Sequence, residues 1–474
     1  MTKGSTLCGR RCKLVHKAGQ HIHFIGIGGV GMSGIAQLLL GLGHKVSGSD
    51  HKASQVTERL QALGAVCYTG HRTRQVEGAD KVVVSSAIRE DNEELRAARS
   101  RNIPVMRRGE MLAWLMAGKK GIAVAGTHGK TTTTAMISLL LARTGLDPTI
   151  LVGGELDAIG GNAVLGRSEW LVAEADESDG SFLLLDPFVA VVTNIEDDHM
   201  EHYGSQEEIT GAFVRFLSRI PPDGTAVLCT DDPGVRDVLP VYRGNRRTYG
   251  EHGSPDFLLR VTALSGLAAQ GEISYRGRLL GTLRLGVPGR HNLLNACGAV
   301  AAGILAGVPF ADAAAVLARF RGVRRRFEIV GEKCGVTVVD DYAHHPSEIK
   351  ATLKAATQVG SGSGRIVACF QPHRFTRTKR LAGEFAGAFD DADLVIVSDV
   401  YSAGEKPLDG VSGLSIMDAF RWRNGRVVMY RPTIPEVVDY LAGEVRPGDL
   451  VLTLGAGDIY RAGRELLTRL QDGE

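Results

Sequence analysis

The run Gly126-Thr127-His128-Gly129-Lys130-Thr131-Thr132 carries the most specific chemistry in the chain. Small residues let successive backbone N–H groups turn inward around phosphate oxygens, and a helix starting there adds favourable partial charge. The Lys130 ammonium would neutralise the outer phosphates of a nucleoside triphosphate. The Thr131 hydroxyl offers the hard oxygen that Mg2+ prefers. The spacing departs from the usual GxxxxGK[ST], because Val124 stands where the first glycine belongs. An ordinary glycine turn with a stray lysine is the bland alternative. The apolar strand before it and the helical run after it favour the phosphate loop. ATP or GTP use follows.

A second glycine loop lies near the N-terminus. Gly26, Gly28 and Gly31 satisfy GxGxxG, with Gly29 in the same turn, after an apolar strand over 22–27 and before a helix. Asp50 closes the next strand, about where a ribose-binding carboxylate lies in dinucleotide folds. Alone, this pattern points to a nicotinamide or flavin dinucleotide. A UDP-sugar presents the same pyrophosphate, however. Two phosphate-binding loops favour one nucleotide as phosphoryl donor and another as the handle of a substrate.

Two acidic stretches follow strands of the middle segment: EADESDGSF at 174 to 182 and NIEDDHMEHYG at 194 to 204. Glu174, Asp176 and His199 would meet at the carboxyl edge of one sheet, where α/β folds place ligands. Glu174 suits Mg2+, and His199 suits a second metal ion; acidic strand ends without a metal are the bland reading. FQPHRFTRTKR, at 370 to 380, reads either as a solvated or RNA-facing basic loop or as a carboxylate-binding fork of Arg377 and Arg380. RRR at 324 to 326 has the same two readings. His344-His345 is either a core pair or faces a cleft beyond the strand VTVVDDYA.

The elements that must position these residues alternate strand and helix throughout. Three α/β domains are expected: a Rossmann-like domain over 1–117, a central P-loop ATPase-like parallel sheet over 118–326, and a Rossmann-like domain over 327–474. At 474 residues the chain is too long for a single core. Expected strands include 81–88 and 103–106, then 170–176, 189–196 and 225–229, then 336–343, 365–370, 393–400 and 449–457. A formal charge of +2 gives no global attraction to nucleic acid or membrane. Seven scattered cysteines fit a reducing, cytoplasmic compartment. Cys8, Cys12 and His16 are spaced like metal ligands but sit in a short basic tail that lacks the apolar core of a secretion signal. The apolar run 293–309 is too short to span a bilayer and carries Asn295, so it reads as a buried helix. A monomer or weak homodimer is expected.

GIGGVGMSGIA, GTHGKTTT, EADESDGSF, TNIEDDHMEHY, PGRHNLLNA, DDYAHHPSE, FQPHRFTRT and GAGDI occur in this order across nearly the whole chain, leaving out only the tail before about Ala18. Together they resemble the Mur ligase family, and within it the branch that adds L-alanine to UDP-N-acetylmuramic acid. The resemblance implies an N-terminal domain holding UDP, a middle domain binding ATP, and a C-terminal domain that swings in to bind the amino acid. It implies that Gly28, Asp50, His71 and Ser85-Ser86-Ala87 line the UDP-sugar site and that Asn292 and Asn295 lie near the adenine. Arg326 would position nucleotide phosphates. Asp341, Tyr342, His344, Arg377 and Arg380 would gather around ATP and alanine. The cofactor would be Mg2+, with Mn2+ as an alternative. Activation would run through an acyl phosphate, and His199 or His344 would take the amine proton. One departure stands out. Several relatives carry a metal-bridging carbamylated lysine beyond the histidine matched by His199, but 201 to 220 contain only Arg215 and Arg219 as long cations, a difference that the resemblance implies for the alanine-adding branch as well. Three rivals remain: a ligase that recycles a preformed tripeptide, a nicotinamide-dependent dehydrogenase, and a non-catalytic nucleotide-binding regulator.

Overall fold

The computed structural model describes residues 19–198, 203–360, 364–420 and 427–470. His199 and the tail with Cys8, Cys12 and His16 lie outside them. Packing divides the chain into two units, Met1–Gly153 with Ala158–Thr248, and Gly154–Asp157 with Tyr249–Glu474.

The first unit opens with a parallel sheet of β1 (His21–Ile25), β2 (Lys45–Asp50), β3 (Val66–Thr69), β4 (Lys81–Val84) and β5 (Val105–Arg107), in the order β3-β2-β1-β4-β5. From Ile22 to Ile25 every residue of β1 is buried, His23 included, so both faces are covered as a central parallel strand requires. Helices α1 (Val30–Gly41), α2 (Gln55–Ala62), α3 (Glu93–Ser100) and α4 (Arg108–Met116) connect the strands. The strand order reverses beside β1, so the glycine loop after Ile25 opens at the switch point where such sheets bind ligands. The strand expected over 81–88 stops at Val84 because Ser85 turns the chain, its carbonyl accepting from Ile88 N at 3.1 Å.

A second sheet of this unit carries β6 (Lys120–Ala125), β7 (Thr149–Leu156), β8 (Gly161–Val164), β9 (Trp170–Glu174), β10 (Val189–Val192) and β11 (Thr225–Cys229), in the order β11-β10-β6-β9-β7-β8. The pairs around β6 are parallel. Helix α5 (Lys130–Arg143) follows β6 and is buried on all sides over its first three turns, with Thr133 and Thr134 fully inside. Helices α6 (Gln206–Leu217) and α7 (Pro233–Val238) complete the layer.

In the chain of the second unit, β12 (Arg246–Gly250) leads into an antiparallel meander of β13 (Phe257–Ser265), β14 (Ala268–Tyr275) and β15 (Arg278–Leu285). A purely parallel central sheet does not foresee this meander. Its signal is local: Arg276-Gly277, both with positive φ, form the two-residue turn that the twist of a hairpin favours. Helices α8 (Arg290–Leu305) and α9 (Phe310–Leu317) follow. A last sheet holds β16 (Glu328–Lys333), β17 (Val336–Asp341), β18 (Ile366–Phe370), β19 (Leu394–Val397), β20 (Val427–Tyr430) and β21 (Leu450–Leu454), in the order β16-β17-β21-β18-β19-β20. Only β16 runs antiparallel to its neighbour. Its helices are α10 (Pro346–Val359), α11 (Phe375–Phe385), α12 (Gly413–Phe420), α13 (Ile434–Glu444) and α14 (Tyr460–Arg469). Among the described residues no helix is long and apolar enough to cross a membrane.

Candidate active site

The glycine loop is pinned to the end of β2. Gly26 N and Ile27 N both donate to the Ser49 carbonyl, at 2.9 and 3.0 Å. Gly28 N donates to Asp50 Oδ2 at 2.9 Å, and a Cβ on Gly28 would lie 2.8 Å from that oxygen. Asp50 therefore lies directly against the loop. Ser85 N donates to the Ile25 carbonyl, which sets Ser86 and Ala87 exposed at the same sheet edge. His71 is held from behind: its Nδ1 lies 2.9 Å from Ser49 Oγ and 3.2 Å from Glu94 Oε2. Glu94 is fully buried. Desolvation raises its pKa, but hydrogen bonds from His23, Ser49 and His71 outweigh that effect and hold it below the ordinary value.

The phosphate loop is strapped to the end of β10. Thr127 N donates to the Asn194 carbonyl at 3.1 Å and His128 N to Asn194 Oδ1 at 2.7 Å. Thr193 Oγ1 and Asn194 Nδ2 in turn donate to the His128 carbonyl, at 2.6 and 3.0 Å. Gly126, at φ 136°, could not be another residue, since a Cβ there would sit 2.1 Å from Thr193 Oγ1. Gly129 then caps α5, placing Lys130, Thr131 and Thr132 in its first turn. Lys130 Nζ donates to the carbonyls of Gly126 and Thr127, at 2.6 and 3.1 Å, and to Glu177 Oε1 at 2.7 Å. Desolvation works against the Lys130 charge, yet Glu177 and Asp176 outweigh it and hold its pKa above the ordinary value.

Glu174 ends β9 in register with Val124. Its Oε1 is buried and has no hydrogen-bond partner among the described residues. An orphaned carboxylate oxygen beside a phosphate loop fits a hard divalent cation, with the Thr131 hydroxyl as a second oxygen. Asp176 is committed elsewhere. Its Oδ1 accepts from Ser178 N and Oγ, at 3.1 and 2.6 Å, and its Oδ2 pairs with Arg108 Nη2 at 2.7 Å.

In the second unit, Asp341 ends β17 and shapes the turn after it. Its two oxygens accept from Ala343 N and Phe327 N, each at 2.8 Å. Burial pushes its carboxyl up to about 6, against the nearby Arg326. The guanidinium carbons of Arg325 and Arg326 each lie 5.0 Å from the centre of the Tyr342 ring. Glu348 Oε2 accepts from the backbone N–H groups of His344 and His345, at 2.9 and 3.2 Å. The His344 ring meets Tyr342 edge-on at 5.5 Å and His373 at 5.6 Å, and His373 stacks on Tyr401 at 5.7 Å. Desolvation, with His344 and Arg377 adding to it, pushes His373 down to about 3, so this imidazole is neutral. Arg377 is buried with its Nη1 3.4 Å from His373 Nδ1, whereas Arg380 is exposed. Asn292 and Asn295 are buried on α8, and Asn292 Nδ2 donates to the Pro288 carbonyl at 2.7 Å.

Sequence reasoning assigns no role to Arg108, Glu177, Asn194, Glu348, His373 or Tyr401, and reads Arg325 only as part of the RRR run. Glu348 has a legible signal, four residues after His344 at the start of a helix. Glu177 and Asn194 lie inside quoted motifs, but their residue types alone specify no role. Arg108 lies in no motif.

Family models match the chain in three consecutive blocks: the Mur ligase family catalytic domain over 21–120, the Mur ligase middle domain over 124–303, and the Mur ligase glutamate ligase domain over 325–457. The chain belongs to the Mur ligase family. Within it, the UDP-N-acetylmuramate–L-alanine ligase of Pelotomaculum thermopropionicum is 56% identical over 456 residues, which are 96% of this chain and 98% of that protein. The crystal structure of the UDP-N-acetylmuramate-alanine ligase of Thermotoga maritima superposes with a TM-score of 0.82 at 32% identity, covering 96% of this chain and 100% of that one. A murein peptide ligase from Psychrobacter arcticus gives a TM-score of 0.72 at 25% identity over 95% of this chain and 99% of its own.

Proposed function

We propose that the chain joins L-alanine to the lactyl carboxylate of UDP-N-acetylmuramic acid, converting ATP to ADP and phosphate, as a step of peptidoglycan precursor synthesis. The observation that carries this reading is the 56% identity to an alanine-adding ligase across 98% of that relative's length. The intact phosphate loop with its half-buried Lys130 agrees with it. The three-part division at 117/118 and 326/327 belongs to the same reading, as do a cytoplasmic location and a monomer or weak homodimer.

The carboxylate attacks the γ-phosphorus of ATP and gives an acyl phosphate. Lys130 and the N–H groups of the loop over 126–132 stabilise the charge that spreads over the transferred oxygens. Thr131 and Glu174 would hold Mg2+, or Mn2+ in its place, which supplies further positive charge at the phosphates when bound. The glycine loop, Asp50, His71 and the Ser85–Ala87 turn hold the UDP end of the substrate. Arg326 serves the nucleotide phosphates, Asn292 and Asn295 the adenine, and Tyr342, Arg377 and Arg380 the alanine. The amine must be neutral to attack, and free α-amines titrate near pH 8. His344 is the described candidate for taking that proton, and His199 the one outside the described residues.

The test is phosphate release by purified protein given Mg2+, ATP and UDP-N-acetylmuramic acid, with L-alanine, with tripeptide, or with neither. Release that requires both the sugar and L-alanine is expected. Release with tripeptide alone would move the chain to the recycling branch.

A further inference from the structure

Arg108 opens α4 in no recognised motif, yet its side chain crosses the glycine loop. A Cβ on Gly31, in the first turn of α1, would lie 3.0 Å from Arg108 Cδ and 3.4 Å from its Nη1. The start of α4 is pressed against the turn after β9: a Cβ on Gly109 would sit 2.4 Å from the Cβ of Ser181. Asp176, in that turn, takes Arg108 Nη2 at 2.7 Å, and Ser178 fixes the other Asp176 oxygen. The Arg108 side chain is 21% exposed. Among the described residues its Nε and Nη1 make no hydrogen bond. These two donors stay open to solvent beside the glycine loop, so an anionic ligand can take them. The loop that it covers ends at a helix N-terminus, where backbone N–H groups accept one phosphate. A guanidinium fork beside them suits a second phosphate of the same ligand.

We propose that Arg108 reads the diphosphate of the nucleotide-sugar, with Asp176 as the residue that positions it. This assignment rests on the glycine loop being the UDP-sugar site. A monophosphate would satisfy the loop N–H groups and leave Arg108 unused. A diphosphate engages both.

Calorimetry on the full-length protein with UDP and with UMP tests this directly. Wild-type protein should bind UDP more tightly than UMP. Arg108→Ala should cut UDP affinity by about ten- to a hundredfold and leave UMP within about twofold, since a charge-assisted fork is lost and the loop is kept. Arg108→Lys should recover part of the loss, because the charge stays and the fork does not. Asp176→Asn should fall between wild type and Arg108→Ala for UDP. Turnover should show a raised KM for UDP-N-acetylmuramic acid with the KM for ATP unchanged, which general damage to the fold would not produce. An Arg108→Ala protein with the wild-type ratio of UDP to UMP affinity overturns the assignment of Arg108 alone. Wild-type protein that binds neither nucleotide overturns the UDP-sugar reading and this assignment together.

Discussion

Lys130 and Arg108 of the first unit are paired with carboxylates, whereas Arg325 and Arg326 of the second also lie over an aromatic ring. Lys130 pairs with Glu177 and Arg108 with Asp176, each at 2.7 Å, from two adjacent residues of one turn. Arg325 and Arg326 each lie over the Tyr342 ring, and Arg326 also stands 3.8 Å from Glu348 Oε1. Arg325 also lies 4.8 Å from the Tyr460 ring, although it keeps an ion pair to Asp340 at 3.1 Å. The two arrangements respond differently to an incoming anion. A cation paired with a carboxylate must exchange that partner for a phosphate or share itself between them. A cation on a ring accepts a new anion without giving up the ring, whose attraction is worth about 0.5–2 kcal/mol. The first arrangement stores charge for an anionic ligand to redistribute. The second presents charge already oriented.

The strongest way to break this comparison is to remove Lys130. Lys130→Ala should lower kcat for phosphate release by about a thousandfold, since it deletes charge aimed at the transferred phosphoryl group. Retention of more than about a tenth of the wild-type rate would end the phosphate-loop reading. Glu174→Gln should cost about a hundredfold and raise the Mg2+ concentration needed for half-maximal rate. Identical Mg2+ titrations of variant and wild type would remove Glu174 from the metal site. Tyr342→Ala takes away the ring beneath two guanidiniums and should raise the KM for L-alanine or ATP about tenfold, while Tyr342→Phe, which keeps the face, should stay within about threefold. Equal losses in both variants would show that the hydroxyl matters rather than the ring. Glu177→Gln should tighten ATP binding severalfold by calorimetry, because Lys130 no longer leaves a charged partner; weaker binding would mean that Glu177 holds Lys130 in its working position.

The smallest effect concerns pH. His373 is pushed down to about 3 and His291 to about 4, both chiefly by desolvation, against 6.5 in the unfolded chain. At these two histidines the unfolded chain binds more protons than the folded one below pH 6.5, whereas burial raises Glu177 to about 7 and Asp341 to about 6, and those carboxyls work in the opposite direction. The histidine contribution to stability should be full above pH 6.5 and fall as pH drops toward 4 and then 3. Thermal midpoints measured across that range should show the slope, and His373→Gln should flatten it. A slope unchanged in that variant would show that the ring row carries no proton linkage.

Legibility followed distance along the chain. Gly126, Lys130, Thr131 and the GxGxxG loop could be singled out because each stands within a few residues of strand, turn and helix. Glu174 was readable as a strand end, and its orphaned oxygen supports the metal role without any need of the missing lysine. Strand ends were overextended: the run after Val84 and the run after Asp341 both turn, because Ser85 and Asp341 hydrogen-bond to backbone a few residues on. Asp341, expected near ATP and alanine, spends both oxygens on backbone N–H groups. The Arg377–Arg380 fork looked symmetrical in sequence, yet one arginine is buried beside His373 and the other is exposed.

What the sequence determined by itself was the set of local devices: two glycine loops each set between a strand and a helix, an acidic strand end, and a basic helix start. Backbone geometry over five to ten residues is enough to build each of these, and residue type is enough to recognise them. Tertiary structure alone decided which charge meets which. Glu177 comes to Lys130 across 47 residues because neighbouring parallel strands bring distant loops to one sheet edge, and Asp176 comes to Arg108 across 68 because the loop after β9 packs on a helix start that follows another sheet. His373 meets His344 and Tyr401 in the same way, at the carboxyl ends of β17, β18 and β19. The partner of a buried charge is set by strand order, and strand order is a property of the whole sheet rather than of any motif within it.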